Sequence, residues 1–332
     1  MPPRPAARGG GAGKMTRALV TGGAGFIGSH LVRSLAAQGT RVRVVDNLSS
    51  GSLDSLEGVL PDVEFVEGDI RDEALMARAT EGISVVYHQA AIASVPLSME
   101  RPDLVHAVNV GGTLAVLEAA RRAGVRRVVY AASSAVYGND PELPKREDMP
   151  ADPQSPYAAA KHAGELYTQV HFRAFGLETI CLRYFNVYGP GQSPRSQYAA
   201  VIPAFLDAAL SGRTPVVYGD GGQTRDFVFV EDVVRANLAA ASASREACGR
   251  SFNVAGGRPV SLNDLLAELG ALLGRDIRAE HAPERAGDIR HSYASIDLAR
   301  QVLGWEPRVS LRDGLARSLE WYRGAASGEV TA

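Results

Sequence analysis

Cysteine is scarce in this chain of 332 residues: only Cys181 and Cys248 occur, far apart in sequence. Two thiols at that spacing suggest neither a disulfide framework nor a metal cluster, and no metal site is expected. They suit a reducing compartment, so a cytoplasmic location is expected. Long apolar runs are missing as well. None approaches the ~20 residues that cross a bilayer, so no membrane partner is expected. Neither sign of charge dominates: 35 Lys and Arg against 37 Asp and Glu leave a net charge of −2. That balance gives no reason to expect nucleic acid or an anionic surface as a partner. Met1 to Lys14 lack the apolar core of a signal peptide. Rich in Pro, Gly, Ala and Arg, residues 1–14 read as a disordered tail, and Met15 as a candidate start.

What remains is an ordinary globular composition, 45% hydrophobic and 22% charged. The length suits one large α/β domain with a smaller lobe. Short apolar runs predict strands at 17–21, 41–46, 63–67, 84–88, 126–131 and 178–183. Helical patterns between them predict helices at 26–38, 72–79, 103–123 and 154–175. Such alternation argues for a doubly wound, Rossmann-type parallel sheet covered on both faces. After residue 184 the alternation fails, and Gly and Pro cluster at 189–191 and 219–222. Helices near 199–211, 231–243, 262–273 and 311–323 predict a smaller lobe, with Ser261 as an N-cap and Glu231 or Asp232 serving a helix start.

The first strand runs into Thr21-Gly22-Gly23-Ala24-Gly25-Phe26-Ile27-Gly28. Gly22, Gly25 and Gly28 recur every third residue, after a strand and at the opening of a helix. Glycines there permit a tight turn and let a pyrophosphate approach the helix N-terminus, with Phe26 and Ile27 beside it. Asp46 ends the second strand 18 residues after Gly28, followed by Asn47. A carboxylate there accepts from ribose hydroxyls and repels a 2′-phosphate, which points to NAD rather than NADP. Asp69 and Ile70 end the third strand region, where an adenine would lie. Ala90 and Ala91 follow the next strand and are small enough for close approach. His88, without an acid-base partner nearby in sequence, reads as structural.

Tyr157 and Lys161 stand one helical turn apart. A free tyrosine titrates at about 10 and is a poor base at neutral pH. The Lys161 ammonium, together with a cationic nicotinamide ring, is expected to lower it. Lys161 can also hold the nicotinamide ribose. Ser133 and Ser134 end a preceding strand, where a further hydroxyl can position a substrate oxygen.

With the glycine loop, Asp46, Asn109, Ser133-Ser134-Ala135-Val136-Tyr137-Gly138, Tyr157-x-x-x-Lys161 and Leu182-Arg183-Tyr184-Phe185-Asn186, the chain resembles an extended short-chain dehydrogenase/reductase. Within that superfamily it resembles the nucleotide-sugar 4-epimerases, from about Thr16 to Tyr322. The resemblance implies NAD as cofactor, with Asn109 among its contacts. It implies that Ser133, four residues before Tyr137, is the catalytic hydroxyl. It implies that Asn186, Arg225 and Arg285 hold a nucleotide diphosphate, that Asp288 holds the uridine ribose, and that the segment containing Val201 meets base and ribose. Ser292 stands where members of the family bound the sugar pocket. A small residue there, and the stretch beginning at Ser94, resemble epimerases that accept 2-acetamido sugars. The implied reaction is C4 epimerisation of UDP-glucose and UDP-galactose, extended to UDP-GlcNAc and UDP-GalNAc, through a 4-keto sugar. Dehydrating relatives carry Asp-Glu directly after the Ser/Thr, whereas this chain has Ser134-Ala135.

A UDP-glucuronate or thymidine-diphosphate-sugar 4-epimerase is the alternative, with Arg195 a partner for a uronate carboxylate. A silent NAD-binding protein is a further one, although such proteins commonly lose the Tyr or Lys. The expected organisation is a tail (1–14), an NAD-binding Rossmann domain (15–184) and a mainly substrate-binding lobe (185–325). Segments near 225–232 and 251–260 are expected to return to the Rossmann domain. The resemblance also implies a homodimer, with helices 103–123 and 154–175 pairing in a four-helix bundle.

Overall fold

The computed structural model describes residues 17–193, 200–284 and 289–327. The expected tail, Arg195, Arg285 and Asp288 lie outside them. The first half contains β1 (Arg17–Thr21), α1 (Phe26–Ala37), β2 (Arg41–Asp46), β3 (Val63–Glu67), α2 (Glu73–Ala79), β4 (Val85–His88), α3 (Val95–Glu100), α4 (Pro102–His106), α5 (Thr113–Arg122), β5 (Arg127–Ser133), α6 (Pro156–Phe175) and β6 (Glu178–Tyr184). The second contains β7 (Asn186–Tyr188), α7 (Val201–Leu210), β8 (Val216–Tyr218), β9 (Thr224–Arg225), β10 (Phe227–Phe229), α8 (Val230–Ser242), β11 (Arg250–Val254), β12 (Val260–Ser261), α9 (Leu262–Leu273), β13 (Glu280–Ala282), α10 (Asp297–Leu303) and α11 (Leu311–Ser327).

Among the described residues, seven strands form one parallel sheet in the order β11-β6-β5-β4-β1-β2-β3. Every residue of β4 and β5 is buried, which is why these strands read as apolar runs without alternation. Leu31, Leu35, Val129, Val233 and Phe252 pack in one apolar core, which brings α1 and α8 onto the sheet. Leu19, Val45, Met76, Leu117 and Val128 form another, with α2 and α5. The strand order reverses direction between β1 and β4, so the connections leaving Thr21 and His88 diverge and open a crevice at the carboxyl ends.

The later segments form short two-stranded pairs, β10 with β7, β9 with β12 and β8 with β13. These stand around a third core that includes Phe205, Val217, Phe229, Leu265 and Leu315. Residues 250–254 cross back to become the seventh strand beside β6. Arg127, 2% exposed at the start of β5, donates to the carbonyls of Ala240, Ala241 and Ala243 at 2.7–3.1 Å. It thereby caps the C-terminus of α8, where unpaired carbonyls and the helix dipole favour a cation.

Two expectations need correction. The helix expected at 103–123 is interrupted: Ala107–Gly112 is a π-helical turn between α4 and α5. Gly112 sits against Ile70, where a Cβ would come within 2.5 Å of its side chain, and the widened turn aims Asn109 inward. Nor does Asp232 cap α8, whose N-cap is Phe229 without a side-chain bond. Asp232 is fully buried and accepts from the backbone amides of Arg308 and Val309 at 2.8 and 3.1 Å. Its carboxylate fastens the approach to α11, and the neighbouring Asp232 carbonyl accepts from Trp305 Nε1 at 3.0 Å.

Candidate functional site

The crevice holds a cavity of about 810 Å³. Its wall at β1, β2 and β3 is made by Gly22, Gly25, Phe26, Ile27, Gly28, Asp46, Asn47, Asp69 and Ile70. Gly22 adopts φ +71°, and a Cβ on it would lie 2.6 Å from Ala90 N, so only glycine lets the turn pass under Ala90. A Cβ on Gly28 would stand 2.0 Å from the Gly22 carbonyl oxygen. Gly25 is the N-cap of α1 and supplies no side-chain bond to the helix start. The first amides of α1 are therefore left for a ligand, and the turn has the shape that takes a pyrophosphate.

Asp46 does more than face the cavity. Its Oδ2 accepts from Ala24 N at 2.9 Å and its Oδ1 from Leu48 N at 2.8 Å. Leu48 has φ +55°, a left-handed conformation that side chains other than glycine enter at a cost. Each carboxylate oxygen keeps a second lone pair for a hydroxyl donor. Asn47 donates to Asp69 Oδ2 at 3.1 Å. Arg71, which the sequence did not single out, clasps Asp69 with two bonds of 2.8 and 2.9 Å. That guanidinium holds the Asp69 carboxyl down at about 2.

The opposite wall brings Ser133, Tyr157 and Lys161 together with Ala90, Ala91 and Asn186. Ser133 is the last residue of β5. Ser155 caps α6 by accepting from Ala158 N, and Pro156 starts the helix. That start puts Tyr157 in the first turn, above the end of β5, and Lys161 one turn deeper. Both Tyr157 and Ser133 line the cavity, and Ser133 Oγ accepts from Ala135 N at 3.2 Å. Lys161 is buried and donates from Nζ to the Ala131 carbonyl at 2.6 Å. Burial pulls its ammonium down to about 7.

Burial pushes the Tyr157 phenol up, with the neighbouring Ser133 hydroxyl acting in the other direction. The expected lowering of the phenol involves the cationic nicotinamide ring together with Lys161, whose Nζ donates to the Ala131 carbonyl.

Several other residues stand away from the wall. Asn109 is buried with its amide on Ile92, accepting from Ile92 N at 2.8 Å and donating to Ile92 O at 2.9 Å, so it supports the wall from behind. Ser94 uses its hydroxyl to cap α3. Val201 begins α7 and packs into the lobe's core. Arg225 donates to the Thr224 carbonyl, and Ser292 N donates to the Thr224 carbonyl from the adjoining segment. These four residues, like Asn109, are absent from the cavity lining. His88 bonds Thr21 at 2.7 Å and Thr113 at 3.0 Å, and burial lowers it to about 3, so it is a neutral packing residue.

Sequence reasoning also missed a polar trio at the back of the cavity. Gln89 and Tyr184 line it, and both bond Asn237 of α8 at 3.0 and 2.7 Å. Gln89 and Tyr184 each follow a motif position already noted, but Asn237 lies on a distant helix with no local signal.

A reversed strand order, a glycine turn at the reversal and a Tyr/Lys pair facing it define a dinucleotide-dependent enzyme of the α/β class. Comparison makes this specific. The sequence model of the NAD dependent epimerase/dehydratase family matches residues 18–255, and the chain belongs to that family. It is 43% identical over 311 residues to a UDP-glucose 4-epimerase of Mycolicibacterium smegmatis, covering 92% of this chain and 98% of that one. Among solved structures it is similar to a UDP-N-acetylglucosamine 4-epimerase from Methanobrevibacter ruminantium in complex with UDP-N-acetylmuramic acid. That likeness has a TM-score of 0.90 at 36% identity, over 94% of this chain and 99% of the other. A UDP-glucose 4-epimerase of Thermotoga maritima with UDP-glucose gives 0.89 at 38% identity, over 94% and 100%.

Proposed function

We propose that the protein is an NAD-dependent 4-epimerase of UDP-hexoses, acting on UDP-glucose and UDP-galactose and also on their 2-acetamido forms. The carrying observation is the charge distribution of the cavity. Its acidic residues are Asp46 and Asp69, both on the glycine-loop side, while Ser133, Tyr157 and Lys161 face the other side without a carboxylate. Elimination of water needs such a group near the sugar, and none of the described lining residues supplies one there. Oxidation and re-reduction at one carbon needs, beside the dinucleotide that would take and return the hydride, only a proton acceptor.

The glycine turn and the first amides of α1 would hold the pyrophosphate, Asp46 the adenosine ribose, and Lys161 the nicotinamide ribose. When bound, NAD accepts and returns the hydride at C4 and adds positive charge beside Tyr157. Tyr157, as phenolate, takes the C4 hydroxyl proton, and Ser133 holds that oxygen through its hydrogen bond. Asn186, at the cavity wall, would anchor the diphosphate, with Arg225, Arg285 and Asp288 as the further contacts of the lobe formed mainly by residues 185–325. With the diphosphate anchored, the 4-keto sugar turns over and presents its other face. Tyr157 then returns the proton. Ser292 leaves room for a 2-acetamido group, with Ser94 and Val201 at the edges of the substrate region.

NMR of the purified protein with UDP-glucose, and separately with UDP-GlcNAc, without added NAD, tests the proposal. Appearance of both C4 epimers supports it. Turnover of UDP-glucose alone removes the acetamido extension, and no product from either removes the assignment and favours a uronate or thymidine-linked sugar.

We further propose a homodimer. Met99 on α3 and Leu166, Tyr167, Val170 and Phe175 on α6 are exposed, and α3 packs against α6. Apolar residues at this spacing suit burial against a second copy. No helix of the described residues is long and apolar enough to cross a membrane. We place the enzyme in the cytoplasm, where the free thiols of Cys181 and Cys248 stay reduced.

A further inference from the structure

We infer that Tyr130 is a positioning residue for Lys161, presenting its ring face to hold the buried ammonium in place and in its charged form. The inference rests on the role given to Lys161 above. Lys161 Nζ stands 4.9 Å from the centroid of the Tyr130 ring, and the same nitrogen donates to Ala131 O at 2.6 Å. A cation over an aromatic face is stabilised by the ring quadrupole, most when water is excluded. Tyr130 is 1% exposed and Lys161 5%.

No carboxylate takes this part. The titratable groups around the ammonium and the Tyr130 phenol are Tyr157 and Glu165 on α6, Cys181 on β6 and His88 on β4. Glu165 is engaged by Arg183 at 2.6 and 3.1 Å and by Ser251 at 2.6 Å. His88 is held neutral, and the Cys181 thiol is pushed up by burial while it bonds Thr168. Lys161 is thus left with two uncharged stabilisers, a carbonyl and a ring face. A ring face supports the charge without neutralising it, so the field of the ammonium remains available in the cavity.

The ring is locked from several sides. Its hydroxyl donates to the Lys161 carbonyl at 3.3 Å. His88 lies against it with centroids 5.6 Å apart. The helix is also notched for it: a Cβ on Gly164 would stand 2.3 Å from the phenol oxygen. An aromatic on β5 and a glycine on α6 therefore work as a pair.

The chain carries three lysines, Lys14, Lys145 and Lys161, so the titration of Lys161 can be followed directly. The NAD-loaded protein, labelled with ¹³C-lysine, is titrated by NMR as wild type, Tyr130→Phe, Tyr130→Leu and Tyr130→Met, with Lys161→Met assigning the signal. Loss of the ring in Leu or Met should lower the Lys161 midpoint by about half a pH unit or more. Phe, which keeps the face, should stay within a few tenths. Methionine, unbranched and more adaptable than leucine, gives a second ring-free variant should leucine fail to fold. The alkaline limb of kcat/KM with UDP-glucose should follow the same order. A midpoint unmoved in the folded Leu or Met variant, or moved as far by Phe, overturns the inference. The titration needs no turnover, so an inactive wild type would count against the epimerase reading and leave the Tyr130 result to stand by itself.

Discussion

Replacing Asp46 by alanine should destabilise the protein before any cofactor is added. In the structure its carboxylate holds Ala24 N and Leu48 N at 2.9 and 2.8 Å, and both it and Ala24 are buried. Each amide left without a partner costs about 1–2 kcal/mol. Relaxation of Leu48 from its left-handed conformation returns about 1 kcal/mol. The net loss is about 2 kcal/mol, which lowers Tm by about 3 °C for a chain of this size. Asp46→Asn keeps one acceptor and should lose about half as much. Thermal melts of the NAD-free wild type and both variants give the stability arm. Fluorescence titration with NAD gives the binding arm, where a lost charge-assisted hydrogen bond weakens affinity about tenfold or more. If the NAD-free Ala variant melts with the wild type, the carboxylate is not holding the glycine loop and the reasoning fails. The practical meaning is that an Asp46 substitution made to admit NADP also loosens the loop that receives the pyrophosphate.

Other outcomes follow from the same geometry. Tyr157→Phe should lower kcat by about 10²–10⁴-fold while purified protein retains NAD; near-normal turnover would remove Tyr157 from the proton path. Asp69 has a folded pKa of about 2 against an ordinary 3.8, so its contribution is present above pH 3.8 and lost as pH falls through 2. Because the pair is partly solvated the effect stays under about 1 kcal/mol, read as urea midpoints of wild type and Asp69→Asn across that window. Leu166→Glu combined with Val170→Glu should give a monomer by light scattering, and an unchanged mass would place the interface elsewhere. Arg183→Met strands the buried Glu165 and should cost about 3–5 kcal/mol, whereas adding Glu165→Leu should recover much of it in the same urea assay.

Much of the first half was legible because its determinants are local. The strands at 17–21, 41–46 and 63–67 are apolar runs bounded by turns, and the glycine loop carries its own conformational demand. Ser133, Tyr157 and Lys161 lie on elements whose type and order were readable, so their convergence follows from the sheet. Other features depend on partners distant in sequence. The π turn at 107–112 is an insertion of one residue in a pattern that averages over turns, and the close neighbour of its Gly112 is Ile70, distant in sequence. Asp232 looked like a helix cap because Glu and Asp favour a first turn, yet its donors are the amides of Arg308 and Val309. Asn109 carried a motif identity but faces Ile92, and no periodicity reports which way a buried amide points. Ser94, Val201, Arg225 and Ser292 were placed by resemblance; Ser94, Arg225 and Ser292 make local hydrogen bonds, Val201 packs in the lobe's core, and none of the four is among the residues lining the cavity.

The return of residues 250–254 to the sheet has a consequence for modularity. A chain cut after Tyr184 would contain the glycine loop and the Ser/Tyr/Lys set, yet β6 would be left as a bare edge. Arg127 would lose the α8 carbonyls that now surround its guanidinium. The cofactor half is therefore not a cassette that can be detached and joined to another lobe. Any recombination of this protein with a relative has to exchange the second half as an interlaced whole, because the last strand of the cofactor sheet is threaded through it.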